Sequence, residues 1–425
     1  MTLFARLARD SLWLLIARVG AQVCMVIVTW LLARRLSVPE FGEYSFITAT
    51  ILIGNVLTTF GSDMYLIREI AAKGGFSLLS PASILQLVLS GAFILLVFGA
   101  SAYLPDQTPE SIPALRIYSL ALIPLAFFTV FTSALRGGQR MGSYAWLNLI
   151  TAILQVLAIF TFLQRGSGIV TLASLMLGIQ TLGAIGAGIF CAANFPGFWN
   201  AWRFSLTKTF DLFIACLPIA VIAVLGILYQ KTSLALLSIL GSASMAGWFS
   251  ASARVMEAAR MGHVAVLTAL YPALANAKGN EDSPGTFGLS WRLLFILACG
   301  AALLLFLLAE PIVIIFFGVE YRTSIPILKV LSLTIPPYAV NSFLSLTFLA
   351  EKREKAVVRA LAISLSILVL LNLWLIPRAG GLGAGWAVLI AETIQAALLL
   401  TQRRTGSLLI QKGASHDLSD LSRQT

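Results

Sequence analysis

Arg254, Glu257, Arg260 and His263 fall one every three residues inside AGWFSASARVMEAARMGHVAVLTALYPAL (Ala246–Leu274), a run otherwise apolar enough to sit in lipid. Arginines in such a place suit anions. The guanidinium group is a planar fork that matches phosphate and carboxylate oxygens, and it is more weakly hydrated than an ammonium group. On a helix each step of three residues turns about 300°, so the four side chains wind slowly around one half of the surface. Glu257 is an i,i+3 neighbour of both Arg254 and Arg260 and is able to pair with either. One carboxylate cannot neutralise two guanidinium groups, so positive charge is left over.

Two more basic residues, Arg18 and Lys231, interrupt other apolar runs. A basic side chain at mid-membrane costs about 2.5–3.5 kcal/mol, so Arg18, Lys231, Arg254 and Arg260 facing lipid would cost about 10–14 kcal/mol together. That rivals the stability of a whole domain. These groups are therefore expected to face one another, a partner or water. Counted from the ends of their runs, Lys231 and Arg254 lie toward one surface, and Arg18, Arg260 and His263 toward the other. Such a ladder would lower the barrier to an anion at successive depths. Three acids stand near the same regions: Glu257, Glu392 in mid-run, and Asp63 close to a run end. Glu392 is the candidate for proton or cation coupling. Gln22, Asn55, Gln155, Gln180, Asn341 and Asn372 add neutral hydrogen-bonding groups, suited to a hydroxyl-rich passenger or to holding helices together.

The elements that carry these residues follow from composition. Of 425 residues, 59% are hydrophobic and only 11% charged, and the mean hydropathy is +0.91; a soluble chain is about 25% charged. A spanning helix takes about 20 apolar residues. Twelve runs approach that length: 12–32, 46–66, 84–104, 115–134, 145–163, 169–190, 213–237, 246–269, 293–317, 327–349, 357–376 and 382–400. They do not alternate as barrel strands do. The expected fold is an all-α polytopic membrane protein of about 12 helices, because backbone groups in hydrocarbon must be satisfied within each segment.

With the N-terminus in the cytoplasm, cytoplasmic connectors hold more than twice as many Lys and Arg as the opposite side, which predicts both termini inside. The net charge of +11 is then topology and contact with anionic lipids. It is dealt out in pairs rather than on one face, which excludes a nucleic-acid surface. Six runs precede the connector at Cys191–Leu212, where Trp199 and Trp202 suit an interfacial anchor, and six follow. The expected units are lobes at 1–200 and 201–402, with a disordered cytoplasmic tail at 403–425. FGEYSF from Phe41 and AGWFSA from Ala246 form a faint echo between the halves, as repeats in a two-lobed transporter would.

Chemistry on covalent bonds has little support. HExxH, GxSxG and CxxC are absent, and the chain has two histidines, so no catalytic residue, metal site or cofactor is expected. GILYQKTS from Gly226 imitates a phosphate loop but lacks the glycine before its lysine. GGLGAGWA from Gly380 reads as close packing of small residues.

The order and spacing of several segments resemble a known family. They are LLARRLSVPEFGEYSF (Leu31–Phe46), FGSDMYLIREIA (Phe60–Ala71), SMAGWFSASARVMEAARM followed by LYPALAN, FFGVEYRTSIPILKVLSL (Phe316–Leu333), and AEKREKAVVRALAISLSILVLLNLWLIPRAGGLGAGWA (Ala350–Ala387). Together they are similar to the polysaccharide-export flippases (Wzx-like O-antigen translocases) of the multidrug/oligosaccharidyl-lipid/polysaccharide exporter superfamily. The resemblance implies two six-helix lobes around a central cationic cavity that works by alternating access. It implies a passenger, an undecaprenyl-diphosphate-linked oligosaccharide, moved from the cytoplasmic to the outer leaflet of the bacterial inner membrane. Membrane lipids, a glycan polymerase and glycosyltransferases are the implied partners. Arg18, Lys231, Arg254, Arg260 and His263 would meet the anionic headgroup. The family often has an acid in its seventh span, where this chain has Lys231. A multidrug antiporter of the same superfamily would want an acidic cavity, a membrane glycan polymerase a large outer loop, and a lipid II flippase two further spans.

Overall fold

A computed structural model describes the backbone of residues 3–103, 110–163, 168–202, 205–277, 284–351 and 353–421. Side chains are described within these ranges for 19–103, 110–163, 168–199, 202, 205–260, 292, 294–349, 351 and 353–403. The described backbone is helical throughout, with short connectors and no strand. In chain order the helices are α1 (Leu3–Arg35), α2 (Val38–Thr59), α3 (Ser62–Lys73), α4 (Leu79–Ala100), α5 (Ser111–Ser119), α6 (Leu122–Gly137), α7 (Met141–Phe162) and α8 (Ile169–Asn194). Then follow α9 (Leu206–Leu240), α10 (Ala243–Ala277), α11 (Pro284–Leu307), α12 (Ala309–Phe316), α13 (Ser324–Ser332), α14 (Ile335–Ala350) and α15 (Glu354–Leu421).

Among the described residues, 6 helices are long and apolar enough to cross a membrane, and counting 3 bent pairs as single spans gives up to 9. Their outward faces are apolar: Leu95 and Leu96 on α4, Ile185 and Ile189 on α8, and Leu370 on α15 are all more than half exposed. Water does not tolerate such continuous apolar surface, whereas hydrocarbon does. The chain is a multi-pass membrane protein.

Local sequence sets the breaks. Ser37 and Glu40 form a capping box at the start of α2, with Pro39 in its first turn. Phe60 (φ 52°) and Gly61 (φ 69°) then take the left-handed conformation, and the chain bends 43° into α3. A second bend of 43° separates α13 from α14, where Pro336 and Pro337 follow Thr334. Proline lacks the donor that a continuous helix would need, so the ladder stops there. In α15, Gly380 (φ 54°, ψ −133°) is non-helical and divides the expected 357–376 and 382–400 runs. A Cβ on Gly383 would lie 2.4 Å from the Leu375 carbonyl oxygen, so within GGLGAGWA Gly383 serves close packing. α15 extends to Leu421 and thereby takes in most of the tail expected to be disordered.

Packing groups the chain into two compact units, Met1–Ser250 with Phe316–Glu320, and Ala251–Ile315 with Tyr321–Thr425. This grouping places α9 with the first unit, whereas the sequence-based lobes divide at 200/201. In the first unit α1 packs on α7, α2 on α9 and α4, and α6 on α8 and α3. Its core joins Leu66, Ile70, Leu135, Cys191 and Cys216 to a nest of rings around Phe198. Trp202 belongs to that nest, with ring centroids 6.4 Å from Phe127 and 6.0 Å from Phe131, while Trp199 is 52% exposed. Of the two, Trp199 keeps the more open face. In the second unit α14 and α13 pack on α15, and α11 packs on α14 and α13.

Candidate functional site

Glycine contact positions the helix that bears the arginines. A Cβ on Gly42 would fall 1.9 Å from the Ala243 carbonyl oxygen, and one on Gly247 would fall 2.3 Å from that of Val38. The start of α2 and the start of α10 therefore touch backbone to backbone, within the first unit. The two segments that echoed each other in sequence, FGEYSF and AGWFSA, are partners in one contact. Phe317 closes on Phe41 edge to face, with centroids 6.3 Å apart, and Trp248 Nε1 donates to the Glu320 carbonyl at 3.3 Å. Ser242 caps α10 by accepting from the Met245 N–H at 3.3 Å.

Beyond Ser250, α10 belongs to the second unit, and there its two described arginines find different company. Arg254 Nη1 lies 3.6 Å from Glu257 Oε2, with side chains 19% and 41% exposed. Arg260 Nη2 donates to Glu392 Oε1 and to Thr334 Oγ1, each at 3.2 Å. Its guanidinium carbon sits 4.3 Å from the centroid of the Tyr338 ring, within cation–π range. Glu392 is 2% exposed. Its second oxygen accepts from Asn341 Nδ2 at 2.7 Å, and the same nitrogen donates to the Glu392 main-chain carbonyl at 3.0 Å. Glu257 therefore pairs with Arg254, and the counter-ion of Arg260 comes from α15.

Four elements build this cluster: α10, the α13–α14 break, α14 and α15. The break matters because Thr334 sits in it, and interrupted membrane helices place polar groups at mid-depth. Thr334, Tyr338 and Asn341 then recur at i, i+4 and i+7, so they share one face. A buried charge in a low-dielectric interior needs both a counter-ion and hydrogen bonds to its remaining lone pairs, and Glu392 has both. The cluster is not closed, since Arg260 Nε and Asn341 Oδ1 are buried without a partner among the described residues.

The other predicted residues are placed separately. Lys231 is half-buried on α9 and Asp63 half-buried in the first turn of α3, both in the first unit. The side chains of Arg18, on α1, and of His263, on α10, lie outside the described residues. Thr334 and Tyr338 had not been singled out. The signal for them was TIPPYAVN itself, a proline break followed by polar residues at helical spacing. Asn341 had been noted only as one of several neutral polar groups. A cavity of about 680 Å³ between α6 and α8 has an apolar lining that includes Phe127, Phe131, Ile185 and Trp199; lacking a charged group, it is no anion site.

The family model described as "Polysaccharide biosynthesis protein" matches residues 7–278. A second, "Lipid II flippase MurJ", matches residues 231–419. Among solved structures, the chain is similar to the lipid II flippase MurJ in an inward closed conformation. Identity is 16%, coverage is 92% of this chain and 87% of that one, and the TM-score is 0.76. It is also similar to an inward-facing multidrug resistance MATE family transporter of the MOP superfamily, at 16% identity, 92% and 96% coverage and a TM-score of 0.69. A third is a MOP superfamily transporter from Pyrococcus furiosus, whose binding pocket of reverse polarity is described as suggesting a different function; identity is 14%, coverage 94% and 95%, and the TM-score 0.63. At such identities these likenesses establish the polytopic transporter fold. No curated protein matches the sequence.

Proposed function

The chain belongs to the polysaccharide biosynthesis protein family, and we propose that it carries an undecaprenyl-diphosphate-linked oligosaccharide from the cytoplasmic to the outer leaflet of the bacterial inner membrane. The passenger on this reading is a precursor of O-antigen or another surface polysaccharide. Movement is by alternating access between two six-helix lobes, with both termini in the cytoplasm. No bond in the passenger is made or broken, so the task is to lower the cost of passing a charged headgroup through hydrocarbon.

One observation carries the reading. α10 bears two guanidinium groups within the apolar run 246–269 that the sequence leads one to expect in the membrane, and both keep part of their surface open, 19% for Arg254 and 22% for Arg260. Arginine forks match phosphate oxygens, and polar backbone and hydroxyl groups nearby suit sugars. In this proposal Arg254, Arg260 and Lys231 engage the diphosphate or acidic sugars in turn, and Arg18 and His263 attract the headgroup from the cytoplasmic end. Glu257 and Asp63 temper the positive charge. The lipid tail stays in the bilayer. A glycan polymerase and glycosyltransferases are the proposed partners on either side of the step.

The test is glycan export in a strain lacking this gene, complemented by wild type or by Arg254→Ala, Lys231→Ala or Arg260→Ala, with membrane levels measured. Export by each variant is expected to fall about tenfold, the loss of one charge-assisted hydrogen bond to the headgroup, while lipid-linked glycan accumulates on the inner leaflet. Wild-type export by all three would sink the proposal. Unaltered susceptibility of the deletion strain to cationic drugs is expected as well, since a cationic helix face repels such compounds.

A further inference from the structure

Arg260 stands between a sealed carboxylate and open space. Glu392 is 2% exposed, while the Arg260 side chain is 22% exposed. Only Nη2 of Arg260 donates among the described contacts, once to Glu392 and once to Thr334, both at 3.2 Å, and its buried Nε is unpaired. A guanidinium group has five donors, so the Nη1 hydrogens are left to spare. The ion pair is single rather than bidentate. Asn341, by contrast, holds the other Glu392 oxygen and the Glu392 main-chain carbonyl with the same amide nitrogen, so the carboxylate stays in place whether or not Arg260 does.

We propose that Arg260 is an exchangeable counter-ion: a diphosphate headgroup takes its guanidinium from Glu392, and the stranded carboxylate takes up one proton. This rests on the headgroup reading above and adds a proton linkage to it. The step balances simply: a carboxylate and a hydronium ion become a carboxylic acid and water, and no other covalent bond changes. Headgroup binding and proton uptake become one event, so the diphosphate binds more tightly as pH falls.

The surroundings of Glu392 leave Arg260 as its one charged partner among the described residues. From α14 it faces Asn341, with Tyr338 under the guanidinium. On α13, Lys329 is engaged over the Phe306 ring at 5.4 Å. On α11 the stretch from Leu294 to Leu307 contains no charged residue, and the neighbours of Glu392 on its own helix, Ala391, Thr393 and Gln395, are neutral. Side chains of α10 from Met261 onward, His263 included, lie outside the described residues.

Calorimetric titration of the full chain in nanodiscs with geranylgeranyl diphosphate, in two buffers of different ionisation enthalpy at pH 7, counts the protons. Wild type is expected to take up about one proton per diphosphate bound, by linkage. Glu392→Gln is expected to take up none and to bind about tenfold more tightly, since Arg260 no longer has to be freed first. Infrared difference spectra of wild type should gain a protonated-carboxyl band on binding, which keeps the test decisive even where the variant fails to insert. Binding by wild type without proton uptake, or binding that needs sodium and takes up no proton, overturns the exchange and leaves the headgroup reading standing. No binding by wild type overturns both.

Discussion

Arg254 and Arg260 share a helix and a charge, but their environments give them different energetic weight. The Arg254–Glu257 contact is local, long at 3.6 Å and 41% exposed on its acidic side, so it resembles a screened pair that contributes little to stability. Arg260 holds a carboxylate that is 2% exposed, and removing one partner of a buried pair leaves an uncompensated charge. Thermal unfolding in detergent should therefore separate them. Arg254→Ala is expected to cost under about 1 kcal/mol, and Arg260→Ala about 3 kcal/mol, near the lower end for buried pairs because part of its side chain is open. Restoring apolar packing with Arg260→Met and Glu392→Leu together should recover most of that loss. Equal destabilisation by the two single alanine variants would show that the pairing assigned here does not hold.

At the scale of elements, glycine and proline decide where helices meet and where they stop. Gly42 allows the α2 backbone to rest on the first turn of α10, and a Cβ there would lie 1.9 Å from a main-chain oxygen that has no rotamer to yield. Gly42→Ala is expected to cost about 1–3 kcal/mol through overpacking and to lower the amount of protein in membranes. Gly91→Ala, where a Cβ meets nothing within 4 Å, should leave both unchanged. The α13–α14 break is a comparable device. Filling it with continuous helix would rotate Thr334 into the backbone ladder and away from Arg260, so Pro336→Ala with Pro337→Ala is expected to weaken export more than membrane insertion. Export and insertion falling in parallel would mean that the break serves only folding.

For the whole molecule, the uneven distribution of Lys and Arg over the connectors makes a topological prediction. In a cysteine-free background, an impermeant maleimide added to intact cells should label Arg322→Cys, and should reach Arg353→Cys only after the inner membrane is opened. Labelling of Arg353→Cys from outside with Arg322→Cys protected would invert the assigned orientation and, with it, the proposed direction of flipping.

How far the sequence could be read varies with the range of the interaction. Apolar runs long enough for hydrocarbon identified the fold class without any knowledge of contacts, because burying backbone in lipid is a local requirement. The cost of a charge in lipid is likewise local, so Arg254, Arg260, Lys231 and Glu392 stood out from their neighbours alone. Pairing is not local. Two equivalent i,i+3 partners for Glu257 were open in sequence, and the choice fell to packing that brings Glu392 to Arg260 across a separation of 132 residues. Thr334 and Tyr338 escaped notice because a hydroxyl or a ring in an apolar run costs little until it meets a charge. The echo of FGEYSF and AGWFSA was visible as a pattern, but only the structure makes it a contact. Sequence by itself determined which groups hydrocarbon would not tolerate; the tertiary structure decided which group satisfies each, because that depends on distances between helices that no spacing along the chain encodes.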